Sequence, residues 1–412
     1  MGRKYLGWLL RRSPGDWPFL FLFVMTLVSL AISPLPEQSL RAAVPLIVGF
    51  VAYALMARWP ITPSRLGWSW WGLTLAGALL SFLGPPGMLP LRHAAFRWLP
   101  AWDYLRSHLP DTFNENVIAG TLVILLPFAV ARGLLGRRES SPRGWTAWMA
   151  SLLASLGVLL VLALTSSRGA YLAACVSLLL LVGLAWPKAW PALIPLGAVA
   201  ALACGMLVGW RQMAHILFMG GTARTLKQRA EIWSRALYII RDFPLTGAGI
   251  GCFQSLVKRL YPLFLIPRGT VSHAHNLYLQ VAVDLGLPSL FAYLVLLGLS
   301  FCLALRAYRR FTLSKERPLA LLSAACLASL AGMCVHGLID AAAWGNKGAF
   351  IPWIVMGLCT ALTRFSLSLD DPCGNSNCRD SVRQVFRHYG TPANDHFGTD
   401  CLVGDDTSPH TN

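Results

Sequence analysis

Pro318-Leu-Ala-Leu-Leu-Ser-Ala-Ala-Cys-Leu-Ala-Ser-Leu-Ala-Gly-Met-Cys-Val-His-Gly-Leu-Ile339 contains no Asp, Glu, Lys or Arg. A bilayer core is about 30 Å thick and a helix rises about 1.5 Å per residue, so roughly 20 apolar residues cross it. This stretch is long enough to do so. Lys315 and Arg317 stand before it, and Asp340 follows it. Nine other stretches read the same way: Trp17–Ser33, Ala42–Ala57, Leu66–Leu83, Val117–Leu135, Trp145–Leu164, Ala170–Ala185, Pro191–Val208, Pro288–Leu305 and Gly348–Thr363. The expected fold is an all-α polytopic membrane protein of about ten spans.

Composition agrees. Of 412 residues, 55% are hydrophobic and only 13% charged, against about a quarter charged in soluble domains. The 16 Trp suit the water–lipid boundary. A net charge of +17 invites a nucleic-acid reading. That reading fails, because the cations lie in short loops between apolar runs, where they encode orientation. Met1–Arg12 is basic, but the apolar run behind it reaches Pro34 without a small-residue cleavage site, so no cleavable signal peptide is expected. The 10 Cys are scattered, which excludes a disulfide framework. Cys373 and Cys378 in the tail are a weak metal hint only.

The basic loops alternate. One set holds Arg3, Lys4, Arg11 and Arg12, then Arg58 and Arg65, then Arg132, Arg137, Arg138 and Arg143, then Lys188, then Arg306, Arg309, Arg310, Lys315 and Arg317. The positive-inside rule puts these, and both termini, in the cytoplasm. The opposite loops are Pro34–Arg41, Gly84–Asn116, the tight turn Thr165–Gly169, the long segment Gly209–His275 and Asp340–Lys347. Residues 1–365 are expected to form one membrane domain, with a large outer loop at 209–275. Residues 366–412 read as a polar, disordered cytoplasmic tail.

The outer segment carries Arg211, Arg224, Lys227, Arg229, Arg235, Arg241, Lys258, Arg259 and Arg268 against Glu231 and Asp242. Such a surface suits anionic ligands such as phosphates, or simply lipid head groups. Four stretches in or near it hold chemistry. Arg168, in Thr165-Ser-Ser-Arg-Gly-Ala170, is wedged between two apolar runs and needs an anion, a watery cavity or a path to the head groups. In Gln228-Arg-Ala-Glu-Ile-Trp-Ser-Arg235, Arg229 and Trp233 share a helix face, a common way to offer a cation to a phosphate or sugar. Glu231 and Arg235, also four apart, read as a surface salt bridge. The turn Asp242-Phe-Pro-Leu-Thr-Gly-Ala-Gly-Ile-Gly251 is glycine-rich, fit for a phosphate cradle or for a flexible turn, and lacks a nucleotide-loop ending. Finally, Ser272-His-Ala-His-Asn-Leu-Tyr-Leu-Gln280 puts His273, His275, Asn276 and Gln280 beside the membrane. Imidazole accepts protons near neutral pH. The plain alternative is an interfacial helix cap. His273 and His275 could also bind a metal, but the sequence offers no third ligand, and none is expected.

Together these stretches resemble the O-antigen ligase and polymerase superfamily of bacterial envelope glycosyltransferases. The markers run from Asn116-Val-Ile-Ala-Gly120 through Thr165–Tyr171, Arg229-x-Glu-x-Trp233, Asp242-x-Pro-x-x-Gly247 and His275-Asn276 to Asp284-Leu-Gly286. Ser289 stands where the ligase pattern has Gly, Thr or Tyr. The resemblance implies a C-type glycosyltransferase fold and an inverting reaction without metal or cofactor. The donor would be a glycan on undecaprenyl diphosphate, and the acceptor lipid A-core or another envelope glycan, at the outer face of the inner membrane. It implies that Arg168, Arg229 and His275 meet the substrate, with Asn276, Trp233 and Asn116 as further binding residues. A polysaccharide polymerase shares the same constellation. A membrane transporter of anions such as inorganic carbon is the alternative of another class; it would show inverted repeats and broken helices at mid-membrane.

Overall fold

The computed structural model describes residues 13–58, 62–87, 114–135, 142–165, 167–189, 191, 223–265, 271–346 and 348–368. Their regular structure is wholly helical. Nine long helices form a bundle: α1 (Asp16–Ile32), α2 (Pro36–Arg58), α3 (Pro63–Gly87), α4 (Glu115–Gly133), α5 (Pro142–Leu164), α6 (Arg168–Ala185), α10 (Leu287–Leu313), α11 (Arg317–Gly337) and α12 (Ile351–Ser368). Three shorter or more polar ones, α7 (Ala223–Asp242), α8 (Phe253–Arg259) and α9 (Leu277–Leu285), lie between α6 and α10 in the chain. Among the described residues, eight helices are long and apolar enough to cross a membrane, and the 17-residue α1 is a shorter apolar one. The chain is thus a polytopic all-α membrane protein. Of the expected spans, the one at 191–208 lies outside the described residues beyond Pro191, as does the tail from residue 369.

Burial sorts the bundle into centre and rim. The most apolar 18-residue windows of α4, α11 and α12 are each 78% buried, against 28% in α3 and 33% in α2, α5 and α6. A central helix is covered all round, so small residues let its neighbours approach. In α11, a Cβ on Gly332 would fall 2.8 Å from Val123 Cγ1 and 3.1 Å from Ser177 Cβ. Hydroxyls then bond across helices, since water is not there to do it: Ser177 Oγ donates to Ala328 O at 2.8 Å and Ser329 Oγ to Ile124 O at 2.7 Å. The Trp70 indole N–H does the same, reaching Phe128 O at 2.8 Å.

The two ends of the bundle differ. At one end Arg58 pairs with Asp16 at 2.6 Å, Arg364 donates to Ala57 O at 2.7 Å, and Arg317 donates to Leu134 O at 3.3 Å. The other end carries the polar residues of the candidate site. There α7, α8 and α9 form a folded cap rather than an open loop. Ile232, Ala236, Ile239, Cys252, Phe253, Ala274, Ala282 and Val283 belong to a buried cluster of its own. The amphipathic period of α7 supplies one side of that cluster and leaves Leu237, Tyr238 and Arg241 outside.

Candidate functional site

The site begins where α9 begins. Asn276 is its N-cap: the side-chain oxygen accepts from Leu279 N at 3.0 Å, and the side-chain nitrogen donates to Leu338 O at 3.0 Å. Gln280, one turn in, accepts from Ala274 N at 2.7 Å and pulls the preceding turn back over the helix. His275 takes φ 47°, a left-handed conformation that costs a non-glycine residue energy and that surrounding contacts must hold. One of those contacts is Trp233, whose indole N–H points at His275 O at 3.4 Å. The polar patch is therefore partly a cap, as the plain reading had it. What the cap presents is two imidazoles, with ring centroids 4.3 Å apart.

Both imidazoles meet one carboxylate. Asp340 follows the end of α11 and is 2% exposed. His273 Nε2 lies 3.2 Å from its Oδ1 and His275 Nδ1 lies 3.0 Å from its Oδ2. Burial alone would raise the Asp340 pKa, but the hydrogen bonds and charge of the two histidines outweigh it and hold the carboxyl well below the usual range. An ionised Asp340 accepts, so each histidine presents N–H to it. The other nitrogens then differ. His273 Nδ1 is held by Ser272 Oγ at 2.8 Å, whereas His275 Nε2 has no partner among the described residues and its ring is partly exposed. Of the pair, only His275 keeps an unengaged basic nitrogen.

Asp340 also changes the metal question. The sequence offered His273 and His275 no third ligand; the structure supplies one, 65 residues away, with all three ligand atoms within 4.8 Å of one another. Two hydrogen bonds already account for that convergence, and three ligands with an open position would equally suit a metal.

Two arginines lie on elements that border this His–Asp cluster. Arg229, on α7, is half-buried, and burial lowers its pKa while the charge of Asp340 partly restores it. The guanidinium is thus within electrostatic reach of Asp340, yet it forms no ion pair among the described residues. Arg168 is the first residue of α6 and is exposed. The next residue, Gly169, lies against Ile339, to which a Cβ would come within 3.2 Å, so Arg168 sits at the rim beside the Asp340 segment. Asn116 is in the first turn of α4. One turn further, Gly120 lies against Ala342 and His336, where a Cβ would come within 2.4 Å and 2.7 Å. His336, Gly337, Asp340, Ala342 and Gly120 line a narrow cleft there.

Helix α7 divides its motif between two tasks. Arg229 and Trp233 face the dyad. Gln228, Glu231 and Arg235 face the segment 262–265 and bind its backbone: Gln228 Nε2 donates to Leu265 O at 3.2 Å, Arg235 Nε to Pro262 O at 2.9 Å, and Glu231 accepts from Phe264 N at 2.6 Å and Leu265 N at 3.0 Å. Glu231 and Arg235 do pair, at 3.7 Å, but with little exposure, so the expected surface salt bridge is instead part of a loop anchor. The glycine-rich turn is likewise a packing device. A Cβ on Gly247 (φ 70°) would sit 2.5 Å from Leu285 N, and one on Gly286 (φ 85°) 2.3 Å from Leu245 O. Backbone bonds close the seam, Ala248 N to Val283 O at 2.8 Å and Leu287 N to Pro244 O at 2.7 Å. Those glycines are spent on α9, which argues for neither a flexible turn nor a phosphate cradle.

Sequence reasoning missed Asp340, which it placed only in an outer loop. The available signal was an acid directly ending a long uncharged span, a costly position for a group with no task. Residues 151–294 match the family model described as O-Antigen ligase. No curated protein matches the chain. The matched segment includes Arg168, Arg229, Trp233, His275 and Asn276, and supports a place in the O-antigen ligase and polymerase superfamily, hence a membrane glycosyltransferase of that type. Asn116 and Asp340 lie outside it.

Proposed function

We propose that the chain transfers a glycan from an undecaprenyl-diphosphate-linked donor to an envelope acceptor, lipid A-core or a related glycan, at the periplasmic face of the inner membrane. The observation that carries this reading is the His275 ring, held by Asp340 through Nδ1, next to Arg229, with neither His275 Nε2 nor the guanidinium engaged by another described residue.

In this reading the acceptor hydroxyl attacks the anomeric carbon. Its proton passes to His275 Nε2 as the new C–O bond forms. The bond from the anomeric carbon to the diphosphate oxygen breaks, and its electron pair stays on the carrier. Arg229 and Arg168 stabilise that growing negative charge; a planar guanidinium can meet two phosphate oxygens at once. Asp340 keeps the imidazole in the tautomer that accepts at Nε2 and stabilises the imidazolium that results. A single displacement of this kind inverts the anomeric centre. Trp233 supports the His275 backbone, and Asn276 acts through the cap it forms rather than by a free amide. Asn116 lines the approach from α4.

The experiment is transfer from a purified lipid-linked glycan to defined acceptors by the reconstituted protein. Product of inverted configuration from wild-type protein, absent with His275→Ala, supports the reading. Transfer to a second lipid-linked glycan rather than to lipid A-core would make it a polymerase. The convergence of His273, His275 and Asp340 favours one second reading, a metal-assisted transfer. Full activity after exhaustive chelation excludes it; loss of activity restored by one divalent metal establishes it.

A further inference from the structure

The His275–Asp340 pair joins two chain segments far apart in sequence, and neither segment is regular. His275 sits in the turn before α9, and Asp340 in the turn after α11. Something has to fix both turns relative to each other to better than about an ångström, because a displacement of that size can cost about 10²-fold in rate.

Asp284 is linked to both, to one through Gln280 and to the other through Trp344. It lies in the last turn of α9 and is 2% exposed. On one side its Oδ1 accepts from Gln280 Nε2 at 2.9 Å, and Gln280 Oε1 accepts from Ala274 N at 2.7 Å, the residue between the two histidines. On the other side its Oδ2 accepts from Trp344 Nε1 at 2.9 Å. Trp344 belongs to the turn that Asp340 opens: its own N–H donates to Ala341 O at 3.0 Å, and Asn346 Nδ2 donates to Ala341 O at 3.1 Å and Trp344 O at 2.9 Å. A third arm fixes the carboxylate to the bundle. Gly251 N donates to Oδ1 at 3.2 Å, while Ser29 Oγ of α1 donates to Asp284 O at 2.8 Å and accepts from Ile250 N at 2.8 Å.

Three N–H donors thus converge on two oxygens. Only a carboxylate accepts all three; a carboxamide has one oxygen and would turn its NH₂ toward a donor. No lysine or arginine among the described residues pairs with Asp284. Burial pushes its pKa up to about 6, against the hydrogen bonds that lower it. A buried carboxylate without a cation is a costly way merely to hold a helix, where apolar packing would serve.

We propose that Asp284 is the positioning residue of the site, a clamp that holds His275 against Asp340 by gripping the turns that carry them. The proposal rests on the reading of His275 as the base, and predicts slow chemistry with intact donor binding when the clamp is opened.

The test uses the full-length protein in lipid nanodiscs, as wild type, Asp284→Asn, Trp344→Phe and the double variant. Single-turnover transfer and affinity are measured with an undecaprenyl-diphosphate-linked glycan, and hydrogen exchange is followed by mass spectrometry. Asp284→Asn should slow transfer by about 10²-fold, with donor affinity within about twofold. Exchange should rise at 271–276 and 338–346 together and stay unchanged in the bundle. Trp344→Phe keeps the aromatic ring but removes one N–H, so it should slow transfer less. The double variant should be no slower than Asp284→Asn alone, because both act through one clamp. Wild-type turnover by folded Asp284→Asn protein overturns the proposal. So does donor binding that falls in step with rate, or exchange that rises throughout. If Asp284→Asn does not fold, Trp344→Phe decides by the same criteria. His275→Ala in the same assay separates the two claims: a fully active His275→Ala protein removes the base, whereas an inactive one beside an unimpaired Asp284→Asn removes only the clamp.

Discussion

The two sides of the site are built on opposite plans. On the proton side nearly every polar atom has a partner: His273, His275 and Asp340 form one set, Gln280, Asp284 and Trp344 a second, the backbone of Ala274 and Ala341 joins them, and among the described residues His275 Nε2 is the atom left over. On the charge side Arg229 is half-buried and forms no ion pair among the described residues, and Arg168 stands exposed at a helix start. The difference follows from what each side has to do. A base works by being in one place before the substrate arrives, so its neighbours saturate it. A cation meant for a phosphate is wasted if the protein has already paired it. The burial that lowers the pKa of Arg229 marks it as a group that an arriving anion would stabilise.

That contrast can be broken at either side. The largest effects belong to the saturated side. His275→Ala should lose about 10²–10⁴-fold in turnover. Asp340→Asn should come close to it, because a neutral partner no longer selects the tautomer with Nε2 open; the pH-independent rate of transfer checks this. His273→Ala should cost less than either, since Ser272 already holds its second nitrogen. On the open side Arg229→Lys should lose about 10²–10³-fold in transfer efficiency, nearly as much as Arg229→Ala, because an ammonium does not restore the planar fork. Arg168→Lys, at an exposed position, should lose less, and near-normal transfer by both lysine variants would refute bidentate recognition. The smallest effect is on stability. Gly120→Ala should cost about 1–3 kcal/mol by overpacking against Ala342 and His336, read as a lowered unfolding temperature in detergent.

The membrane architecture was legible because long uncharged runs have few other uses. Alternating cations then gave an expected order of the ends. Arg229 and Trp233 were readable as a pair from their spacing alone, and so was the cap at Asn276. Asp340 was not, because its link to His275 spans 65 residues and nothing local distinguishes it from an ordinary loop acid. The same holds for Glu231. Helical spacing showed that it faces Arg235, but not that the backbone of Phe264 and Leu265 would lie opposite. The glycines of residues 247–251 look like a ligand loop in sequence because close packing and ligand approach ask for the same missing side chain. Only the fold shows that α9 fills the space at Gly247, while Ser33 and Cys252 close on Gly249 and Ala42 on Gly251.

The central claim is that proton transfer and diphosphate binding belong to different residues. Carrier affinity and single-turnover rate, measured side by side for His275→Ala and Arg229→Ala in nanodiscs, test it most directly. The account predicts that His275→Ala binds undecaprenyl-diphosphate-linked glycan as wild type does but fails to turn it over, while Arg229→Ala loses affinity. If His275→Ala loses carrier binding in proportion to rate, the histidine is a diphosphate ligand and the division is contradicted.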